Sequence, residues 1–294
     1  MCIFFKTMEN KHAKTGEIWE RGVTIKCGMC PECRRARANE WTQRIDAEIR
    51  NTKDELRPRF ITFTFDDNCA KEHGIEDLSK AKYGQEDRMV KDEVRKWAKR
   101  MDSKKAKQKH WFITEHGQEG TERIHVHGIV WADKWDIVEE CWKAGIVDLG
   151  EIRGSTMPYL IKYIYKEPQV KKDYKPIILT TPGIGKCYVN EYNKRKHRWR
   201  REKTNEWYVL ENGKRIPIGE YYRNKFWNEE DKRDRRKWLW LKQKKWVGGI
   251  EYDTSTDEGW RMMYEKINYE QTKITEDIKK IIYVPKKKQE NFGN

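Results

Sequence analysis

Residues 124–131 read Ile124-His125-Val126-His127-Gly128-Ile129-Val130-Trp131. Successive side chains on a strand point to opposite faces. Ile124, Val126 and Val130 therefore share one face, suited to a core, and His125 and His127 share the other. Upstream, His110 to Glu115 reads as an antiparallel partner, joined by the polar turn Gly117-Gln-Glu-Gly-Thr-Glu122. Pairing residue 115 with 125 centres the turn at 120, and pairing it with 127 centres it at 121. Either register brings Glu115 opposite the two histidines. His116 falls on the other face.

Working outward, Phe60-Ile-Thr-Phe-Thr-Phe65 alternates Ile61, Phe63 and Phe65 with Thr62 and Thr64, which predicts a strand after Pro58. Asp66 to about Gln85 reads as a polar loop. Met89, Val90, Val94, Trp97, Ala98 and Met101 form a helical stripe. A second helix is expected over 134–143, with Ile137, Val138, Cys141 and Trp142 inward and Gly145 as its stop. A strand over 146–152 follows, then a helix over about 157–166, capped by Ser155 or Thr156. The order β-α-β-β-α-β predicts an α+β fold with a ferredoxin-like, RRM-like antiparallel sheet. Its first and third strands are central neighbours. Two helices cover one face, and the other is left open.

Before this unit, Pro31 opens a helix whose Ala38, Trp41, Ile45 and Ile49 recur at helical spacing. After it, Trp207–Leu210 and Ile216–Ile218 suggest a hairpin around Asn212-Gly213. Residues 228–246 suggest a basic helix, and the last 45 carry mixed charge and end in a loose tail. Three regions are expected: a Cys-rich segment and helix over 1–57, a sheet-bearing core over 58–168, and a basic, aromatic-rich extension over 169–294.

The 294 residues hold 63 Lys and Arg against 48 Asp and Glu, a net charge of +15, which argues for a polyanionic partner. The 14 Trp and 14 Tyr among so many charges suit unstacked bases. Lys194, Arg195, Lys196, Arg198, Arg200 and Arg201 crowd into eight residues and are candidate DNA contacts, with Trp199, Trp207, Trp227, Trp238 and Trp240 interspersed nearby. A single basic run is more often a solvated face. No apolar stretch approaches 18 residues, so no membrane partner is expected. The first residues do not form a secretory signal.

Two imidazoles and a carboxylate on one face, His125, His127 and Glu115, suit Mg²⁺ or Mn²⁺ acting on a phosphate. A bare H-x-H is more often a plain surface pair. Glu115 shifts that balance, and so does Tyr159-Leu-Ile-Lys162-Tyr163. Tyr159 and Tyr163 sit one helical turn apart on one face. A phenol attacking a phosphodiester leaves a phosphotyrosine and a free 3′-hydroxyl, and Lys162 steadies phosphate charge. Cys27-x-x-Cys30-x-x-Cys33 has the spacing of a structural zinc site, with Cys2 or His12 as candidate fourth ligand. Three reduced thiols packed together are the alternative.

These motifs together resemble the HUH endonucleases, named for two histidines around a hydrophobic residue. Within them the chain is most similar to the replication initiation proteins of microviruses of gokushovirus type. Phe60–Phe65 resembles the first strand motif, His125-Val-His127 the metal motif, Tyr159-x-x-Lys162-Tyr163 the nucleophile motif, and Cys27–Cys33 with its helix the N-terminal region. The resemblance spans about residues 27–166. It implies nicking of single-stranded DNA at a replication origin, a 5′-phosphotyrosine intermediate, rolling-circle synthesis and later rejoining. It also implies host replication machinery as a partner and the host cytoplasm as the location. The oligomeric state is left open. Alternatives are another HUH enzyme, either a plasmid relaxase or a transposase, and a non-catalytic RRM-like binder.

Overall fold

The structure is a computed structural model that describes residues 2–4, 6–9, 22–28, 30–52, 55–117, 123–152 and 174–282. In chain order its strands and α-helices are β1 (Lys6–Glu9), β2 (Gly22–Ile25), α1 (Pro31–Arg50), β3 (Arg57–Phe63), α2 (Asp67–Glu72), α3 (Tyr83–Ser103), β4 (Gln108–His116), β5 (Ile124–Ala132), α4 (Trp135–Cys141), β6 (Val147–Gly150) and β7 (Ile178–Thr180). The remainder is α5 (Glu191–Lys196), β8 (Trp207–Val209), β9 (Arg215–Pro217), α6 (Glu220–Phe226), α7 (Glu229–Leu241), β10 (Lys244–Val247), β11 (Ile250–Asp253) and α8 (Asp257–Ile282). The chain divides into two compact units. One is Arg34–Asn228, and the other joins Met1–Cys33 with Glu229–Asn294.

The first unit is built on a five-stranded antiparallel sheet in the order β6-β3-β5-β4-β7. The α+β class and the central β3–β5 pair match the sequence reading. The fifth strand, β7, was not foreseen. It is three residues long and hydrogen-bonds along Trp111–Ile113. Such a short segment carries no measurable period. Pro58 lies inside β3 rather than before it, because β3 is paired only with β5 there and gains β6 only from Phe60.

One sheet face packs on α3 and α4. Ile61, Phe63, Phe112, Val126 and Val130 meet Met89, Val90, Val94, Trp97, Met101 and Val138, all buried. Phe63 and Phe112 each contribute about 1.5–3 kcal/mol through burial. Phe63 also stacks on Trp142 at 4.0 Å. The segment after β3, expected as loop, contains α2. Its N-cap is Asp66, whose Oδ1 accepts from Cys69 N at 2.8 Å. Helix α4 ends at Cys141, so Gly145 is not its stop. A Cβ at Gly145 would lie 2.5 Å from Thr64 O, and this close approach is why glycine is needed.

The opposite face is only partly open. Ala38 and Ile45 of α1 pack on Trp111, Ile113, Ile129 and Trp131, covering one end of the sheet. The far side of α1 is polar yet buried. Gln43 bonds Pro217 O and Gly219 N, Asp46 accepts from Tyr208 OH at 2.7 Å, and Glu48 accepts from Gly185 N at 2.7 Å. These bonds hold the β8–β9 hairpin and α6, which pack around Tyr188, Tyr208 and Tyr222 on Ala47.

In the other unit β1 pairs with β2, and β10 with β11. The expected basic helix ends at Leu241 and gives way to β10. Within the last 45 residues, Asp257–Ile282 form the helix α8, and the end expected as a loose tail lies outside the described residues. Among the described residues no helix is long and apolar enough to cross a membrane.

Candidate functional site

The β4–β5 ladder pairs Glu115 with His125 and Ile113 with His127, so the first of the two expected registers is the one adopted. Glu115, His125 and His127 share the sheet face that α1 covers only at its other end. His127 Nε2 lies 3.3 Å from Glu115 Oε2. The His125 and His127 rings are 6.2 Å apart and nearly parallel, at 12°. From β3, Thr62 sits opposite His127, and its Oγ1 is 3.0 Å from His127 Nδ1. Phe60, two residues back on the same face, stacks along the His127 ring at 6.1 Å. One nitrogen of His127 is therefore occupied by Thr62, and the other is turned toward Glu115.

Burial, and next the charge of neighbouring His127, hold His125 below the usual histidine range. Its imidazole is neutral at pH 7 and has a lone pair to give. The donor set of two imidazoles and one carboxylate at the open end of the face fits a divalent cation with positions left for oxygen ligands. Beside His125 lies a cleft of about 630 Å³ lined by Thr64, Arg123, Trp142, Lys143 and Ile146, among others. Arg123 is paired with Asp67, whereas the Lys143 side chain is exposed. Sequence reading missed Thr62 as a partner of His127 and missed both cations. The signal for Thr62 was its place on the first strand, two residues from Phe60.

His116 does face the other way. Its Nε2 lies 3.1 Å from Glu86 Oε2, both side chains are buried, and its ring meets Tyr174 edge-on at 4.3 Å. Tyr174 bonds Thr114 Oγ1 at 2.5 Å and Asp87 Oδ1 at 3.2 Å, which makes it a structural phenol. Tyr159, Lys162 and Tyr163 lie outside the described residues, as does the turn 118–122.

The basic run is placed in part. His197 is buried between Tyr188 OH, 2.9 Å away, and Asn205 O, 2.7 Å away. Trp199 is buried against Trp227 at 5.5 Å. Lys194, Arg195, Arg198, Arg200 and Arg201 point to solvent between these anchors, and Lys196 is half-buried. Of the tryptophans singled out, Trp199 and Trp227 are core, Trp238 is half-buried, and Trp207 and Trp240 are exposed.

Two groups among the described residues bring all their metal-ligating atoms within 4.8 Å of one another. One is Cys2, Cys27, Cys30 and Cys33. Cys2 is thus the fourth member that the spacing left open between it and His12, and His12 lies outside the described residues. These four thiols could hold a metal such as zinc. The other is Cys69, His73 and Glu93. There Glu93 Oε1 already accepts from Lys96 Nζ at 2.6 Å and lies 2.9 Å from His73 Nε2. Burial pushes the Cys69 thiol up to about 12, so it stays protonated. We read this group as a buried bond network tying α2 to α3.

An antiparallel sheet with a pair of imidazoles and a carboxylate on the accessible end of one face places the chain among the α+β proteins with a polar sheet face of metal-ligating residue types. Residues 58–168 match the family model for the replication-associated protein ORF2. That segment holds β3 to β6 and the residues of the candidate site. No curated protein matches the chain, and no solved structure does.

Proposed function

We propose that the chain is a rolling-circle replication initiator that nicks single-stranded DNA at an origin and later rejoins it. The observation that carries this reading is Glu115, His125 and His127 side by side on one sheet face, within the segment that matches the replication-associated family. Glu115, His125 and His127 would hold Mg²⁺ or Mn²⁺. That ion, when bound, draws negative charge from a phosphate oxygen. The three groups do not converge to within 4.8 Å as they stand, the His125 ring lying 6.2 Å from that of His127, so holding the ion requires these side chains to rearrange. Thr62 fixes the His127 ring, so that Nε2 stays directed at the site.

The nucleophile is assigned to Tyr159 and Tyr163. A phenolic oxygen attacks the phosphorus, forming the P–O bond of a 5′-phosphotyrosine. The P–O3′ bond breaks, and the 3′ oxygen leaves with a proton as a free hydroxyl. Rejoining runs the same exchange backward, with the 3′-hydroxyl attacking and the phenol leaving. Lys162 steadies the phosphate charge. A second phenol four residues along the chain permits a second transfer while the first is occupied. Lys143 and Arg123 beside His125 support a path for the strand along the cleft. Exposed Lys194, Arg195, Arg198, Arg200 and Arg201, with Lys196 beside them, would hold DNA through its backbone.

The finer assignment, an HUH initiator of gokushovirus-type microviruses working with host replication machinery, rests on the Tyr159-x-x-Lys162-Tyr163 and cysteine motifs. The test uses single-stranded oligonucleotides tiled across the DNA that encodes the chain, incubated with protein and Mn²⁺. We expect one nick site, dependent on Mn²⁺ and lost in His125→Ala and His127→Ala. Binding without any cleavage would favour an RRM-like binder instead.

A further inference from the structure

We propose that Cys2, Cys27, Cys30 and Cys33 bind one Zn²⁺ as a tetrathiolate, and that this ion is the clasp on which the unit of residues 1–33 and 229–294 depends for its fold. The proposal is independent of the nicking chemistry.

The geometry is that of a tetrahedral metal cage. A zinc–sulfur bond of about 2.3 Å places neighbouring sulfurs of a tetrahedron about 3.8 Å apart. Here Cys2 Sγ and Cys30 Sγ are 3.8 Å apart, Cys27 Sγ and Cys33 Sγ are 4.0 Å apart, and all four lie within 4.8 Å of one another. A disulfide needs about 2.05 Å, and none of these four cysteines is joined in one.

The backbone also prepares the sulfurs for negative charge. Cys27 N–H points to Cys2 Sγ at 3.2 Å, Cys30 N–H to Cys27 Sγ at 3.3 Å, and Ile3 N–H to Cys30 Sγ at 3.5 Å. Amide donors of this kind orient metal-bound ligands and offset their charge. Gly28, between Cys27 and Cys30, has φ +76°, the left-handed turn that lets Cys30 N–H fold back on the Cys27 sulfur. Cys33 comes from the first turn of α1, so a helix fixes the fourth corner.

Among the described residues the apolar core of this unit is small. Its buried cluster is Cys2, Ile3, Cys30, Cys33, Val247, Tyr252, Met263 and Ile267, with Cys27 beside it. Three of these eight side chains are cysteines, so the apolar remainder is five residues from three separate segments. A core this small is stabilised in other proteins by a metal or by disulfides. Binding turns four thiols into thiolates and releases their protons to solvent, which couples metal affinity to folding.

The test is elemental analysis of the full chain, purified without chelator and then washed with EDTA to strip a loosely held catalytic ion. We expect one zinc per chain, absent from Cys2→Ser and Cys33→Ser and retained in Cys187→Ser, which lies outside the group. Because a ligand variant can misfold, Co²⁺ exchange into the wild-type chain provides a second readout. We expect the visible d–d and thiolate charge-transfer bands of tetrahedral cobalt. Loss of the metal should open residues 244–273 to hydrogen exchange while β3–β5 stay protected. The proposal is overturned by folded, metal-free protein with four titratable thiols, by a disulfide within the group, or by iron as the occupant. None of these results bears on whether the protein nicks DNA.

Discussion

Thr62 Oγ1 lies 3.0 Å from His127 Nδ1, across the central strand pair of the sheet. This bond joins the first strand to the histidine strand and decides which ring nitrogen of His127 is left for Glu115. A bond that orients a ligating histidine typically carries 10- to 100-fold in metal affinity or activity. Thr62→Val should therefore weaken Mn²⁺-dependent cleavage by about 10- to 100-fold, while Thr62→Ser restores most of it. Equal activity of the valine variant and wild type, measured at limiting Mn²⁺, would remove Thr62 from the site.

Metal removal gives a second expectation. EDTA should abolish cleavage, and added Mn²⁺ should restore it, with the circular dichroism of the sheet unchanged throughout. Glu115→Gln keeps the shape and removes the charge, so its Mn²⁺ affinity should fall while its melting temperature stays near wild type. A Glu115→Gln protein with unaltered Mn²⁺ affinity would show that the carboxylate is not a ligand.

The sheet itself has one position with no room. A Cβ at Gly128, on β5 beside the two histidines, would lie 2.0 Å from Trp111 O and 2.9 Å from Phe112 Cα. Both are backbone atoms of a central strand and cannot step aside. Gly128→Ala should cost about 3 kcal/mol or more. Chemical denaturation measures it, and a loss under about 1 kcal/mol would contradict the packing described for β4 and β5.

Stability should also fall in acid, for a reason that can be located. Burial lowers the His110 imidazole from 6.5 to about 4. In the unfolded chain this group takes up a proton near pH 6.5, whereas in the fold it resists until about pH 4. The unfolded state binds more protons in between, so stability is lost as pH falls through that window, by up to about 3 kcal/mol from this group. His110 Nδ1 lies 2.9 Å from Gln108 Oε1 and 3.1 Å from Thr181 Oγ1, and its ring stacks on Phe112 at 4.8 Å. His110→Gln should flatten the pH dependence between 6.5 and 4. An unchanged profile in that variant would assign the acid sensitivity to other groups.

Much of the sheet and of its candidate site was legible in the sequence because each rests on a short period. The alternation through Ile124–Val130 separated core from site, and hairpin arithmetic brought Glu115 opposite the histidines. What escaped has no period. Helix α1 buries Gln43, Asp46 and Glu48 against backbone groups 137 to 176 residues away. Such polar burial looks like a solvated face in a sequence. The same reason hid β7 and the packing of residues 184–228. Cys2 is 25 residues from Cys27, too far for spacing to choose it over His12. In Lys194–Lys203 the charges are as visible as expected, but the neutral residues between them, His197 and Trp199, are what fix the segment.

The central claim is that a tyrosine of this chain becomes covalently joined to DNA. Its most direct measurement is mass spectrometry of the DNA-linked peptide, after single-stranded DNA carrying the mapped nick site is incubated with protein and Mn²⁺. The account predicts a phosphodiester link at Tyr159 or Tyr163, lost when both are changed to Phe. A link at any other residue, an adduct that survives the double substitution, or cleavage that leaves no adduct would contradict it.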